Sequence, residues 1–185
     1  KHSDRNAILS AIDYRKDVDG LHPMNVGLLN SSQKGVIPCT PRGIISLLKE
    51  EGIEITGKHC VVIGRSNLVG KPMAQLMLNE NASVTICHSK TRDLAALTRQ
   101  AEILIIAIGC PNLVTAEMLK EGAVVIDVGI NNVDGKLVGD IYNSIDVSGI
   151  EKKAAAISPV PGGVGPMTIA SLLQNTVDLY KMHIQ

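Results

Sequence analysis

Val61-Val62-Ile63-Gly64-Arg65-Ser66-Asn67-Leu68-Val69-Gly70-Lys71-Pro72 is the stretch on which the fold reading turns. An apolar run stops at Gly64. Gly70 follows six residues later, where helix-compatible sequence begins. A nucleotide phosphate site is built this way: a tight turn after a buried parallel strand, then a helix whose N-terminal amides face an anion. The dinucleotide fingerprint is G-x-G-x-x-G. Ser66 stands at its second glycine, so the strict pattern fails. Taken alone, the segment fits equally a strand-turn-helix corner that binds nothing.

The chain on either side gives that turn a setting. Cys60–Ile63, Val84–Cys87, Ile103–Ala107 and Val124–Val128 read as strands. Pro72–Asn79 and Asp93–Arg99 read as helices, and Thr115–Lys120 as a helix start capped by its threonine. The strands are nearly continuous apolar runs, as expected of strands buried on both faces. The β-α-β-α-β order implies right-handed crossovers and a doubly wound parallel sheet with helices on both sides, an α/β Rossmann-like domain. Arg42–Glu51 follows Pro41, gathers Ile44, Ile45, Leu47 and Leu48 on one face, and stops at Gly52. Thr168–Met182 carries Ile169, Leu172, Leu173, Val177 and Tyr180 at helical spacing, a face that must pack on something. The first forty residues are mixed, with a short helix near Asn6–Ile12 and a loop-like Lys16–Pro23.

Composition narrows the function. Eighteen basic residues balance eighteen acidic ones, which argues against binding nucleic acid or an anionic membrane through bulk charge. Aromatic residues make up 2%, with no Trp and no Phe, so base-stacking platforms are excluded. Cys39, Cys60, Cys87 and Cys110 form no C-x-x-C pair and read as reduced thiols of an intracellular, cytoplasmic protein. No apolar run is long enough to span a bilayer, and no metal site is visible.

Four segments carry candidate chemistry. The second strand ends Cys87-His88-Ser89-Lys90-Thr91. NAD-binding folds place a ribose-binding carboxylate there. Its absence, with Ser89, Lys90 and Arg65 nearby, favours NADP, whose extra phosphate a carboxylate would repel; the alternative is a solvated polar turn. Asp127-Val128-Gly129-Ile130-Asn131 closes the fourth strand at the ligand edge, where Gly129 or Ile130 could meet the nicotinamide end; the alternative is a buried strand end with a glycine turn. Pro161-Gly162-Gly163-Val164-Gly165-Pro166-Met167-Thr168 is a proline-bracketed glycine loop, shaped for a ligand or serving as a hinge. In Lys16-Asp17-Val18-Asp19-Gly20-Leu21-His22-Pro23, Asp19 suits an Asx turn, and His22 is a general-base candidate or a structural hydrogen-bond donor.

Together with Pro38-Cys39-Thr40-Pro41, the first turn, the Lys16–Pro23 segment and the glycine loop resemble the methylenetetrahydrofolate dehydrogenase/cyclohydrolase family, of the bifunctional FolD type. The likeness runs the length of the chain. It implies an enzyme of one-carbon metabolism, a homodimer serving purine biosynthesis. That enzyme oxidises 5,10-methylenetetrahydrofolate with NADP and hydrolyses the methenyl product to 10-formyltetrahydrofolate in one interdomain cleft. By the same resemblance, Gly64, Arg65, Ser66 and Ser89 would contact the cofactor, with Ile130 on its nicotinamide side. Asp19 would hydrogen-bond the pterin. Pro161, Gly162, Gly163, Val164 and Gly165 would close over the folate, and Thr40 would lie where substrate and nicotinamide meet.

The family also uses a lysine one turn after a tyrosine, and a Q-L-P-L-P-like segment. Neither occurs here, and no lysine of this chain takes the role, so no catalytic residue is assigned. The resemblance therefore divides the chain into a remnant of the folate-binding domain (1–40), the NADP-binding domain (41–165) and a returning C-terminal helix (166–185). It implies a chain that opens inside a longer protein, beginning at Lys1, with the last-helix face bearing Leu172, Leu173 and Val177 uncovered and little turnover of its own. The rival expectations are a non-catalytic NADP-binding module and a shikimate-dehydrogenase-like enzyme.

Overall fold

Short apolar runs flanked by turn residues make buried strands where neighbours cover both faces. Two layers of helices supply that cover for His59–Ile63, Ile103–Ile106 and Val124–Asp127, whereas Ser83–Cys87, expected to be covered too, lies at the sheet edge with Ile86 43% accessible. The computed structural model describes residues 4–141 and 147–183. The outermost residues of the first and last sequence segments therefore lie outside the described residues. Three helices precede the sheet: α1 (Arg5–Ala11), α2 (Pro23–Asn30) and α3 (Cys39–Glu50). β1 (His59–Ile63), α4 (Gly70–Asn79), β2 (Ser83–Cys87), α5 (Leu94–Thr98), β3 (Ile103–Ile106) and β4 (Val124–Asp127) form the alternating unit. A hairpin, β5 (Asn131–Val133) and β6 (Lys136–Val138), then leads to α6 (Val147–Lys153), β7 (Ala156–Ile157) and the long α7 (Val164–His183).

The five-stranded sheet has the order β2-β1-β3-β4-β7, and every pairing in it is parallel. Ile63 pairs with Cys87 and with Ile106, so β1 is central between β2 and β3. Strand order reverses between β1 and β3, and their carboxyl ends open the crevice typical of such sheets. Alternate residues feed two cores. Cys60, Val62, Ile105 and Ile126 face α3 and α4, with Ile44, Leu48, Met73 and Met77. Val61, Ile63, Leu104, Ile106 and Val125 face the other way, with Ala101, Leu119 and Ile150.

Two expectations are corrected. The helix expected over Thr115–Lys120 is a single 3-10 turn, Ala116–Met118, and Thr115 makes no capping bond. Leu119 already has an extended backbone and is buried beneath the sheet, which leaves no room for a second turn. The C-terminal helix begins earlier than expected, at Val164. Its rotation leaves the face bearing Leu173 and Val177 uncovered, as expected, with Leu172 half-buried. Ser171, Asn175 and Leu179 face inward, whereas Ile169, Leu173 (64% accessible), Val177 and Tyr180 are exposed. A polar residue sets that rotation. Asn175 is 1% accessible, and its amide donates to the carbonyls of Val18 (2.8 Å) and Ile37 (2.9 Å). Its Oδ1 accepts from Arg42, whose other nitrogen pairs with Asp178 at 3.0 Å. Two backbone carbonyls and a guanidinium satisfy an amide that would be costly to bury unmet. Gly43 lets α3 and α7 touch, since a Cβ there would lie 2.8 Å from the Met167 backbone.

Candidate functional site

The first turn is locked by backbone contact. Gly64 has φ +121°, and a Cβ on it would sit 2.2 Å from the Ala107 carbonyl beyond β3. A Cβ on Gly70 would sit 2.2 Å from the Gly64 carbonyl. Both positions therefore require glycine. The Gly64 amide donates to Cys87 O at 2.8 Å, and that of Ala107 to Ile63 O at 2.8 Å. Three strand ends thus meet at Gly64.

The amides at the start of α4 are not open to an anion, which corrects the expectation from sequence. Ser66 Oγ accepts from Val69 N (3.1 Å) and Gly70 N (3.3 Å), while its carbonyl accepts from Lys71 N (3.0 Å). Pro72 has no N–H, and Met73 N donates to Val69 O. The Ser66 hydroxyl, at the fingerprint's second glycine position, therefore closes the entry to α4 from three residues before its N-cap, Val69. Among the described residues, the backbone donors without a hydrogen bond in this turn include those of Arg65 and Ser66.

Arg65 and Ser89 each lie two residues past the registered pair Ile63–Cys87, on the same edge of adjacent strands, and both are exposed. The turn after β2 is held internally: His88 N donates to Thr91 Oγ1 (2.8 Å) and Lys90 N to His88 Nδ1 (3.1 Å). No carboxylate stands between Cys87 and Thr91.

Beyond β4, two buried aspartates hold three segments. Asp127 Oδ1 accepts from Gly129 N and Asp140 N, and its Oδ2 from Ile141 N, each at 2.9 Å. Burial pushes the Asp127 carboxyl up from its ordinary value, partly offset by those three amides, and Asp140 adds to the rise. Asp140 accepts from Ile108 N (2.9 Å), Gly109 N (3.0 Å) and Asn131 Nδ2 (3.0 Å).

Next to them lies a cleft of about 600 Å³. Thr40, Ile130 and all of Pro161–Gly165 line it, with Val69, Asp127, Leu137, Thr168 and Ile169. Ile130 is 67% accessible and stands at its rim. Pro161 and Gly162 are exposed and Gly163 is buried, while Val164 and Gly165 belong to the first turn of α7. Thr168 Oγ1 lies 3.1 Å from Thr40 Oγ1 and 3.1 Å from the Val164 carbonyl, which ties α7 to α3 across the cleft. Asp127 is the titratable side chain among the lining residues, and amides hold both its oxygens.

Asp19 is exposed and does not line this cleft; its carbonyl accepts from Cys39 N (3.3 Å), the residue before Thr40. The Asx turn expected at Asp19 is made by Asp17 instead. Asp17 is buried and accepts from Gly20 N (3.1 Å), His22 N (2.7 Å) and Asn25 Nδ2 (2.9 Å). His22 caps α2, with Nδ1 accepting from Met24 N, so that nitrogen is an acceptor rather than a donor. Burial, reinforced by a hydrogen bond to Asp19, pushes the Cys39 thiol up to about 12. Among the described residues no group of three or more His, Cys, Asp or Glu is placed to hold a metal ion, and no helix is long and apolar enough to cross a membrane.

Residues 38–184 match the family model described as tetrahydrofolate dehydrogenase/cyclohydrolase, NAD(P)-binding domain. The chain belongs to that family. The bifunctional protein FolD of Exiguobacterium sibiricum is 55% identical over 98% of this chain. The chain spans 64% of the length of that curated relative. The FolD dehydrogenase/cyclohydrolase of Campylobacter jejuni superposes with a TM-score of 0.92 at 52% identity, covering 97% of this chain and 63% of that one. The Trypanosoma brucei FolD enzyme, solved with NADP cofactor and an inhibitor, superposes at 0.90 with 42% identity, covering 100% and 64%. Membership in this family sets aside the shikimate-dehydrogenase-like alternative.

Asp140, Thr168 and Asp17 are residues of this site that sequence reasoning assigned no role. Thr168 stood inside a quoted motif, and its hydroxyl facing Thr40 depends on the α3–α7 packing. For Asp140 the available signal was Asp134-Gly135, a hairpin turn dipeptide that would have placed it at the ligand edge of the sheet.

Proposed function

We propose that this chain forms the NADP-binding part of a bifunctional folate enzyme. The whole protein oxidises 5,10-methylenetetrahydrofolate to the methenyl compound and hydrolyses that to 10-formyltetrahydrofolate. The observation that carries this reading is the adjacency of two features: the glycine-locked turn at the β1–β3 crevice and the apolar cleft that gathers Thr40, Ile130 and Pro161–Gly165. In this reading the cytoplasmic protein is a homodimer of one-carbon metabolism that serves purine biosynthesis.

The amides of Arg65 and Ser66, beside Gly64, hold the pyrophosphate. The Arg65 guanidinium and the Ser89 hydroxyl take the extra phosphate, a charge-assisted contact that no carboxylate opposes. Ile130 flanks the nicotinamide. Thr40 and the loop Pro161, Gly162, Gly163, with Val164 and Gly165, border the folate, and Asp19 hydrogen-bonds its pterin. NADP, when bound, supplies the hydride acceptor. The chain contributes orientation and a dry wall, which is what such a transfer needs most.

Hydrolysis of the methenyl compound needs in addition a positioned proton carrier. The cleft residues described above offer none, because the Asp127 oxygens are already engaged. The 185-residue chain spans 64% of the length of its FolD relative and holds neither the Q-L-P-L-P-like segment nor a lysine in the role the resemblance implies, so it is expected to bind NADPH while turning over neither half-reaction at an appreciable rate. Fluorescence titration with NADPH, alongside dehydrogenase and cyclohydrolase assays, tests this. Absence of NADPH binding overturns the cofactor reading, and rates matching an intact FolD enzyme overturn the division of labour.

A further inference from the structure

Asp140 is 1% accessible, does not line the cleft, and yet ties together the segments that follow β3 and β4. Its Oδ2 accepts from the amides of Ile108 and Gly109, directly after β3. Its Oδ1 accepts from Asn131 Nδ2, one residue past the exposed Ile130. Its carbonyl accepts from Asn112 N at 2.9 Å, and its own amide donates to Asp127. Packing enforces the arrangement from both sides. A Cβ on Gly129 would fall 2.2 Å from Asp140 Oδ1, and a Cβ on Gly139 would fall 2.0 Å from Asp127 Oδ2. Each carboxylate thus occupies the space a side chain would take on the segment it organises.

The segment after β3 is also the wall against which Gly64 packs, through the Ala107 carbonyl. One carboxylate therefore sets the spacing between the crevice wall and Ile130. We propose that Asp140 is a positioning residue for the dinucleotide: it holds the post-β3 wall and Ile130 in binding geometry without touching the ligand. This rests on the NADP reading above.

The hydrogen bonds have a polarity that can be tested. Asp140 faces donors at both oxygens, so an asparagine there must turn its NH₂ toward a donor on one side or the other. In the 185-residue chain, Asp140→Asn is expected to weaken NADPH binding about tenfold, the effect of one buried donor left unmet. Adding Asn131→Asp supplies an acceptor for the new NH₂ and is expected to recover much of the loss, although its contact with the Gly139 carbonyl is given up. Affinities are compared under conditions where circular dichroism shows each variant folded, so that a loss of stability alone does not register as a loss of binding. Should Asp140→Asn fail to fold, Asn131→Ala carries the test, with a several-fold weaker Kd expected from loss of the same link. Wild-type chain that takes up no NADPH sinks the functional reading and this inference with it. Wild-type binding together with unchanged affinity in folded Asp140→Asn, in its Asn131→Ala substitute, or loss without recovery in the double variant, overturns this inference alone.

Discussion

Two glycine segments flank the cleft, and Gly64 and Gly162, one from each, differ in what the missing side chain makes room for. At Gly64 and Gly70 the missing Cβ is filled by neighbouring backbone at 2.2 Å. At Gly162 nothing lies within 4 Å of where a Cβ would stand, and only φ of +108° demands glycine. The first turn is a packing solution, closed on itself by Ser66. In the second, Gly162 is a conformational solution with an open surface, while its neighbour Gly163 is a packing one, its Cβ position 2.5 Å from the Pro159 carbonyl. Glycine-rich sequence alone does not tell these apart, because they differ in what surrounds the chain.

The sharpest way to break this contrast is to add one methyl group to each turn. Gly64→Ala must displace the Ala107 carbonyl and adopt a strained φ. It is expected to cost more than about 3 kcal/mol, enough to abolish cooperative folding in a marginal domain. Gly162→Ala meets only the backbone penalty, about 1–2 kcal/mol, and should fold. Urea denaturation of the pair checks this, and equal losses would erase the distinction.

Arg65→Ala probes the ligand side of the first turn. Loss of one charge-assisted contact should weaken NADP binding about 10- to 100-fold while NAD binding changes little. Comparable losses for both nucleotides in a titration would remove Arg65 from the phosphate corner. Ser66→Ala removes the closure of the turn rather than a ligand in this account. It should lower stability by about 1 kcal/mol, a few degrees in Tm, and affect both nucleotides alike.

The smallest effect concerns the cleft floor. The folded-state pKa of Asp127 lies above its unfolded value. Its contribution to stability is therefore fully present below the unfolded value and lost as pH rises through the folded one. Wild type should gain on Asp127→Asn as pH falls from 7 toward 4. A Tm difference that shrinks over that range would reverse the sign.

Much of this was legible in the sequence. Cys60–Ile63 and Ile103–Ile106 announce strands covered on both faces because they are unbroken apolar runs. The residues of the first turn and the glycine loop are contiguous motifs. What stayed hidden depends on partners far along the chain. Asn175 has no apolar signature, yet it sets the rotation of α7 through carbonyls of Val18 and Ile37, over 130 residues away. Helix α2 is short, starts at a proline and is capped by a histidine, so the mixed first forty residues give it no helical signal. Asp17 and Asp19 are alike in type and spacing, and only burial shows which one accepts the turn amides.

The bare flank of Gly43 has a reach beyond its own helix. Met167 rests against it, and the neighbouring Thr168 meets Thr40 inside the trough. A bulkier residue at position 43 would wedge α3 and α7 apart and pull that hydroxyl contact open from behind. The width of the cavity is thus set from the rear of the protein, at a position that contributes no side chain to its wall.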